Sequence, residues 1–236
     1  MAGYRTSFKK NSAYLIGEDD LKRLRDIAAT FVGNDPEITF ELVGDHKIED
    51  TDLSALVSDS YVASKRLLKV SIHGRNSKPS RSIHIEFDSA AYVMDFVSVD
   101  INGDKKHSVS ARTEIETVID GLQVWYGRFF LPPHMSSYMV GFTFPLVASF
   151  AVAAYLVIRP GQQFPPTELP VTVLPLGGLI YLVYQAAKTW AFPHLAFEIG
   201  RSKRFANGTR TARNFLLTAM VLGPVIKWVV DKYLLR

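Results

Sequence analysis

Two patterns of hydrophobic and polar positions alternate along the first 130 residues. Over Glu18–Phe31 the apolar residues recur every three or four positions, which predicts an amphipathic helix. Elsewhere apolar and polar residues alternate, or short runs are rich in β-branched and aromatic residues, and both patterns predict strands. These strands are Ala13–Ile16, Glu37–Val43, Arg66–His73, Arg81–Asp88 and Tyr92–Val99. A second helical stripe over Ala111–Arg128 would cover one face of the sheet. Residues 1–130 are therefore predicted to form an α+β domain, an antiparallel sheet with flanking helices.

The pattern changes at Leu131-Pro132-Pro133-His134, where neither proline can extend the preceding helix. We interpret residues 131–137 as a linker. Beyond it, Tyr138–Ile158 has 21 residues without a charge, and Val171–Ala187 is also uncharged. At ~1.5 Å per residue, a helix of the first length matches the ~30 Å hydrocarbon thickness of a bilayer. The sequence therefore predicts a hairpin of two transmembrane helices.

A third apolar segment, Asn214–Val230, is shorter, contains Gly223-Pro224 and carries Lys227. It predicts either a third span with a kink or a helix that lies at the membrane interface. Residues 138–236 are accordingly predicted to form an α-helical transmembrane region of two to three spans. The predicted spans are about 138–158, 171–190 and 214–232, with a basic loop at 188–213.

Charge is distributed unevenly between the two parts of the chain. Residues 1–135 contain 17 Lys and Arg against 20 Asp and Glu, whereas residues 136–236 contain 10 against 3. The positive-inside rule places the basic loop 188–213 in the cytosol, and two spans then place the first domain on the same side. The first ten residues lack the apolar run of a secretory signal, and the chain has no cysteine. The sequence thus predicts a multi-pass inner-membrane protein with a cytoplasmic N-terminal domain.

Signatures of catalysis are absent from the sequence, which contains no dinucleotide fingerprint, P-loop, zincin motif or nucleophile elbow. The six histidines are scattered, and no two share metal-ligand spacing within one predicted element. His73 and His84 could face each other across a hairpin, but a pair of exposed strand histidines is the simpler interpretation. We therefore predict no enzymatic activity, no cofactor and no metal site.

The strongest local signal is a basic run from Lys65 to His84, which contains six Lys and Arg and no acidic residue. In an otherwise acidic domain, such a run predicts charge-assisted binding of an anionic ligand, such as a nucleotide or a short oligonucleotide. The predicted ligand-binding residues are Lys69, His73, Arg75, Arg81 and His84. Two alternatives remain open: a solvated edge hairpin, and contact with anionic lipid headgroups.

Lys227 is costly inside a bilayer, so it would face protein or water, or would reach the membrane boundary beside Asp231 and Lys232. Three spans cannot enclose an aqueous path by themselves. A pore would therefore require several copies, and we predict a homo-oligomer of four or more chains in the lipid bilayer.

The segment from Trp190 to Gly200, followed by a basic stretch and a last apolar helix, resembles the tail of small membrane effectors of bacterial anti-phage defence systems, such as the transmembrane effectors of the Hailong system. The resemblance lies in the layout of the chain and transfers no functional residue. It implies a homo-oligomeric inner-membrane effector or ion channel, gated by a ligand that the cytosolic domain senses. The alternative is a membrane-anchored adaptor whose cytosolic domain docks a protein partner.

Overall fold

The computed structural model describes residues 4–77, 80–89, 96–127, 146–151, 154 and 168–233. In chain order the strands are β1 (Tyr4–Lys10), β2 (Tyr14–Ile16), β3 (Glu37–Leu42), β4 (His46–Asp50), β5 (Leu67–Ser77), β6 (Ser80–Asp88), β7 (Val97–Gly103) and β8 (Leu195–Phe197). The helices are α1 (Glu18–Val32), α2 (Leu53–Ser58), α3 (Ser60–Ser64), α4 (Lys105–Gly121), α5 (Glu168–Ala191) and α6 (Gly200–Tyr233), and residues 146–151 are also helical.

Six strands form one antiparallel sheet in the order β1-β7-β6-β5-β3-β4. Every second residue of the central strands is apolar, so one face of the sheet is hydrophobic. Ile72, Ile85 and Val99, for example, lie side by side on β5, β6 and β7 and are buried. The apolar stripes of α1 and α4 pack on this face and complete the core. We call it the core face and the opposite one the open face.

Local chemistry fixes the ends of both covering helices. The Gly17 N–H donates to the Asp20 carboxylate at 2.9 Å, which satisfies one of the unpaired donors at the start of α1. The helix ends at Gly33, whose φ of 84° is the left-handed conformation that glycine adopts without strain. Asp104 caps α4 by accepting a hydrogen bond from the backbone N–H of His107.

The C-terminal part of the chain belongs to the same compact unit as the sheet, because residues 1–127 group with residues 194–236. β8 pairs in parallel with β2, and its three residues are buried. At the start of α6, the buried Ser202 Oγ accepts a hydrogen bond of 2.8 Å from the Leu67 N–H. Residues 188–213, which the sequence predicted as a basic loop, instead form the end of α5, β8 and the first part of α6.

Residues 128–193 form the second unit, whose described part contains α5 and the helical residues 146–151. The ring of Phe150 lies against Gly177, where an added Cβ would come within 2.3 Å of it. Tyr181 is buried within this unit. Several other apolar side chains are exposed: Val147, Leu174, Leu179, Leu182, Val183 and Trp190.

The predicted transmembrane region is wrong. Within the residues that the structure describes, none of the helices combines the length and the hydrophobicity that a membrane crossing requires. The predicted span at 171–190 lies in α5, which contains Pro175 and Lys188, and the one at 214–232 continues a helix that starts with a basic segment. The predicted span at 138–158 lies largely outside the described residues.

The predicted spans were also the basis of the predicted localisation and of the ion-channel prediction. The described part of the chain is an α+β fold built on a six-stranded antiparallel sheet. The predicted inner-membrane localisation and ion-channel activity are therefore wrong. The uncharged window at Asn214 did not show where its helix begins. α6 starts at Gly200, and Ser202, Ala206 and Thr209 in its first part are buried.

Candidate functional site

The open face of the sheet carries polar side chains, most of them exposed or partly exposed. The register places one row of ionisable residues across four neighbouring strands. From β7 to β3 this row consists of Asp100, His84, His73 and Glu37. The rings of His73 and His84 face each other edge to face, with centroids 5.8 Å apart. The predicted histidine pair therefore exists, but a carboxylate flanks it on each side.

Lys69 lies on the same open face, four residues before His73 in β5, and its charge is already matched. Its Nζ lies 3.0 Å from the Glu86 carboxylate, and both side chains are about three quarters buried, with 24% and 27% exposed. Partial burial would lower the pKa of Lys69, but the hydrogen bond and charge of Glu86 outweigh it and raise that pKa. Because Glu86 also lies 3.3 Å from the His84 Nε2, it links two of the predicted ligand-binding residues to each other.

Arg81 lies on the opposite side of the sheet from the other predicted residues. Its position in β6 has the same parity as Ile83 and Ile85, so its side chain extends over the core face. Its guanidinium donates to the Phe31 carbonyl at 3.0 Å and to the Asp104 carboxylate at 2.8 Å. Arg81 thus connects β6 to the end of α1 and the start of α4, which is a structural role.

The carboxylate that Arg81 contacts is the most strongly perturbed acid of the described residues. The hydrogen bond from the His107 backbone, followed by the hydrogen bond from its side chain, lowers the pKa of Asp104 to about 2. The Asp104 Oδ1 lies 2.6 Å from the His107 Nδ1. This arrangement keeps the cap of α4 ionised at an acidity that would protonate an ordinary aspartate.

The structure therefore brings four of the five predicted ligand-binding residues onto one face, and separates the fifth. Lys69, His73, Arg75 and His84 share the open face of β5 and β6. Arg75 lies in β5, two residues after His73 and beyond the predicted end of that strand. The remaining predicted site residue, Lys227, lies within α6.

A second feature of the open face was missed by the sequence analysis. A cavity of about 710 Å³, which we call the acidic recess, lies at the margin of the sheet where β3, β4 and β5 run side by side. It is lined by Asn34, Asp35, Glu37, Glu49, Asp50, Thr51, His73 and Arg75. Four carboxylates thus accompany one guanidinium and one imidazole. The lining residues come from separate segments of the chain. The acid-rich run around β4 could nevertheless have predicted an acidic surface at this position.

Contacts within the recess position its carboxylates without covering them. Asp35 lies 3.1 Å from the Arg25 guanidinium and remains 70% exposed. The hydrogen bond and charge of Lys47 lower the pKa of Glu49, which keeps this carboxylate ionised. The Asn34 side chain donates to the Arg75 carbonyl at 3.1 Å, so the loop before β3 is tied to β5. The recess therefore presents negative charge on an ordered frame.

Among the described residues, no group of three His, Asp or Glu side chains is arranged to hold a metal ion. Compared with known proteins, the chain matches no family model and no curated protein.

Proposed function

We propose that this protein is a non-catalytic recognition protein that docks a protein partner through the acidic recess. The observation that carries the proposal is the convergence of four carboxylates from separate segments around one cavity. Ionised carboxylates only accept hydrogen bonds, and an arginine offers five donors in a planar fork. The partner surface that fits best is therefore a segment rich in arginine.

The strands beneath the recess provide a rigid support for docking. Ile38 and Phe40 of β3 are fully buried, as are Val70 and Ile72 of β5, so both strands are fixed by the core face. The polar residues that alternate with them cannot shift without disturbing that packing. A receptor that is already ordered loses little conformational entropy on binding, which favours affinity.

A second candidate is the anionic ligand that the sequence predicted, bound at the middle of the open face. The facing rings of His73 and His84, with Arg75 on the same face, support it. Against it, the neighbouring carboxylates oppose a negative charge, and Lys69 is engaged with Glu86. The recess takes first place because four carboxylates line it against one guanidinium, which favours a cationic partner even though Arg25 and Lys47 already contact Asp35 and Glu49.

Calorimetry on the full-length protein separates the two candidates. The probes are an arginine-rich peptide, a glutamate-rich peptide of equal length, a nucleotide and a short oligonucleotide. Docking at the recess predicts saturable binding of the arginine-rich peptide alone. The variant Glu49→Gln/Asp50→Asn should weaken this binding about threefold or more, since two exposed ionic contacts are lost.

The matched control is Glu114→Gln/Asp26→Asn, which removes the same charge from exposed positions of α4 and α1. It should leave the affinity within about twofold of the wild type. Equal weakening by both variants would show non-specific attraction and reject the recess. Saturable nucleotide binding that is lost in His73→Ala/Arg75→Ala would establish the second candidate instead, and binding of no probe would reject both.

A further inference from the structure

Among the residues that the structure describes, each of the two outer strands of the sheet pairs with one neighbouring strand. In the described part of the chain, β1 pairs only with β7, and β4 pairs only with β3. The backbone N–H and C=O groups on their outer sides can therefore accept another strand. The sheet has an even number of strands, all antiparallel, so β1 and β4 run in opposite directions. A second copy in the same orientation would thus place its β1 antiparallel to β4, with both helix layers on one side.

We propose that the partner docked at the acidic margin is a second copy of this chain, which adds its β1 to β4. This inference rests on the proposed docking function and names the partner. Charge complementarity supports it at Arg5, the exposed basic residue of β1, whereas Lys10 already contacts Glu116 and Asp120 of its own chain. The β4 margin carries the carboxylates of the recess, Glu49 and Asp50 among them.

The alternation of side chains restricts how the two strands can align. Ile48 of β4 and Thr6 of β1 both lie on the core side of their strands, whereas Lys47, Glu49, Arg5 and Ser7 lie on the open side. Registers that keep the core sides together therefore differ by steps of two residues.

One register matches the charges. With Ile48 opposite Thr6 of the second copy, Glu49 faces Arg5 and Lys47 faces Ser7. A shift of two residues one way places Lys47 opposite Lys9, and a shift the other way places it opposite Arg5. Like charges directly opposite each other destabilise a sheet, so both shifted registers are disfavoured.

Arg5 is able to make the new contact. Its guanidinium lies 3.2 Å from Asp100 of its own chain, and the side chain remains 74% exposed. An arginine has more donors than this one contact uses, so it can contact Asp100 and the neighbouring copy's Glu49 together. The interface joins two different edges, so it leaves a free β1 at one end and a free β4 at the other. Repetition yields an open or ring-shaped assembly whose size grows with concentration.

Cysteine cross-linking tests both the partner and the register, because the chain has no cysteine of its own. We would mix full-length Ser7→Cys with full-length Lys47→Cys under mild oxidation. Directly opposite residues of an antiparallel pair have Cα atoms about 4.5–5.5 Å apart, within the range of a disulfide. The proposal predicts a covalent heterodimer. Lys9→Cys mixed with Lys47→Cys should cross-link at least about fivefold less, because the register that joins these two positions separates Glu49 from Arg5.

Charge reversal provides an independent measurement by light scattering. Glu49→Arg or Arg5→Glu alone should reduce the assembled mass, and the two together in one chain should restore it. The inference would be overturned if Ser7→Cys and Lys47→Cys formed no cross-link and neither charge reversal changed the assembled mass. If the arginine-rich peptide still bound the recess in a Glu49-dependent manner, the docking function would survive with a different partner. If that binding also failed, both proposals would fall.

Discussion

The attachment of the C-terminal segment to the sheet unit predicts a specific loss of stability in Ser202→Ala. Ser202 is only 3% exposed, and its Oγ accepts the hydrogen bond from the Leu67 N–H. Alanine removes the acceptor and leaves this backbone donor buried at the start of β5. An unsatisfied buried donor costs about 1–3 kcal/mol, and we expect the free energy of unfolding to fall by that amount.

The matched control is Ser54→Ala, the same chemical change at an exposed helical position. It should alter the free energy of unfolding by no more than about 0.5 kcal/mol. Urea unfolding followed by circular dichroism gives the global value. Hydrogen exchange of the peptide that contains Leu67 gives the local one, and it should accelerate in Ser202→Ala alone. If the two variants unfolded and exchanged alike, residues 194–213 would not be part of the sheet unit.

Three further predictions concern other contacts of the same unit. Gly200 has a φ of 51°, and a Cβ at this position would lie 2.4 Å from the Val62 carbonyl oxygen. Gly200→Ala should therefore lower the melting temperature. The control Gly208→Ala should not, because there is open space around Gly208. A melting temperature unchanged by both would refute this. Because the pKa of Asp104 is depressed to about 2, its stabilising effect is present above about pH 4 and lost as the pH falls towards 2. Asp104→Asn should therefore flatten the decline of stability between pH 4 and 2, and an acid limb as steep as in the wild type would contradict this. Arg81→Ala should lower the free energy of unfolding by about 1–3 kcal/mol, because two hydrogen bonds of its guanidinium are lost. Calorimetry should show that the affinity of the recess for the peptide stays within twofold of the wild type. Weaker binding would show that Arg81 contributes to the docking site.

Local pattern was sufficient for the elements with long, regular periods. The sequence predicts a helix over Glu18–Phe31, and α1 spans Glu18–Val32, because acidic residues and a glycine mark its two ends. The strands predicted at Arg66–His73 and Arg81–Asp88 correspond to β5 and β6, although β5 continues to Ser77. Strict alternation of apolar and polar residues carries this information without knowledge of the partner strands.

The elements that sequence missed depend on partners far along the chain. β8 has only three residues, and it is a strand because β2, about 180 residues earlier, pairs with it. β1 and β4 are edge strands with mixed polarity, and only their pairing with β7 and β3 identifies them. Short segments of this kind have no period long enough to detect.

The candidate site shows the same division. The facing of His73 and His84 followed from the alternation in two strands, and their rings are 5.8 Å apart. The strand was predicted to begin at Arg81, and the pattern of Ile83, Ile85 and Phe87 extended back by two residues would have placed Arg81 on the core face. Predicting the acidic recess would have required the order of the strands in the sheet, and no local sequence pattern gives that order.

The most direct test of docking at the acidic recess is an NMR titration of the isotope-labelled full-length protein with an arginine-rich peptide. Docking at the recess predicts progressive, saturable shifts of the amide signals of Glu37, Glu49, Asp50, Thr51 and His73, which line it. These shifts should weaken in Glu49→Gln/Asp50→Asn and persist in Glu114→Gln/Asp26→Asn. Saturable shifts confined to other parts of the chain, or no shifts at all, would contradict the claim that this margin of the sheet is the docking site.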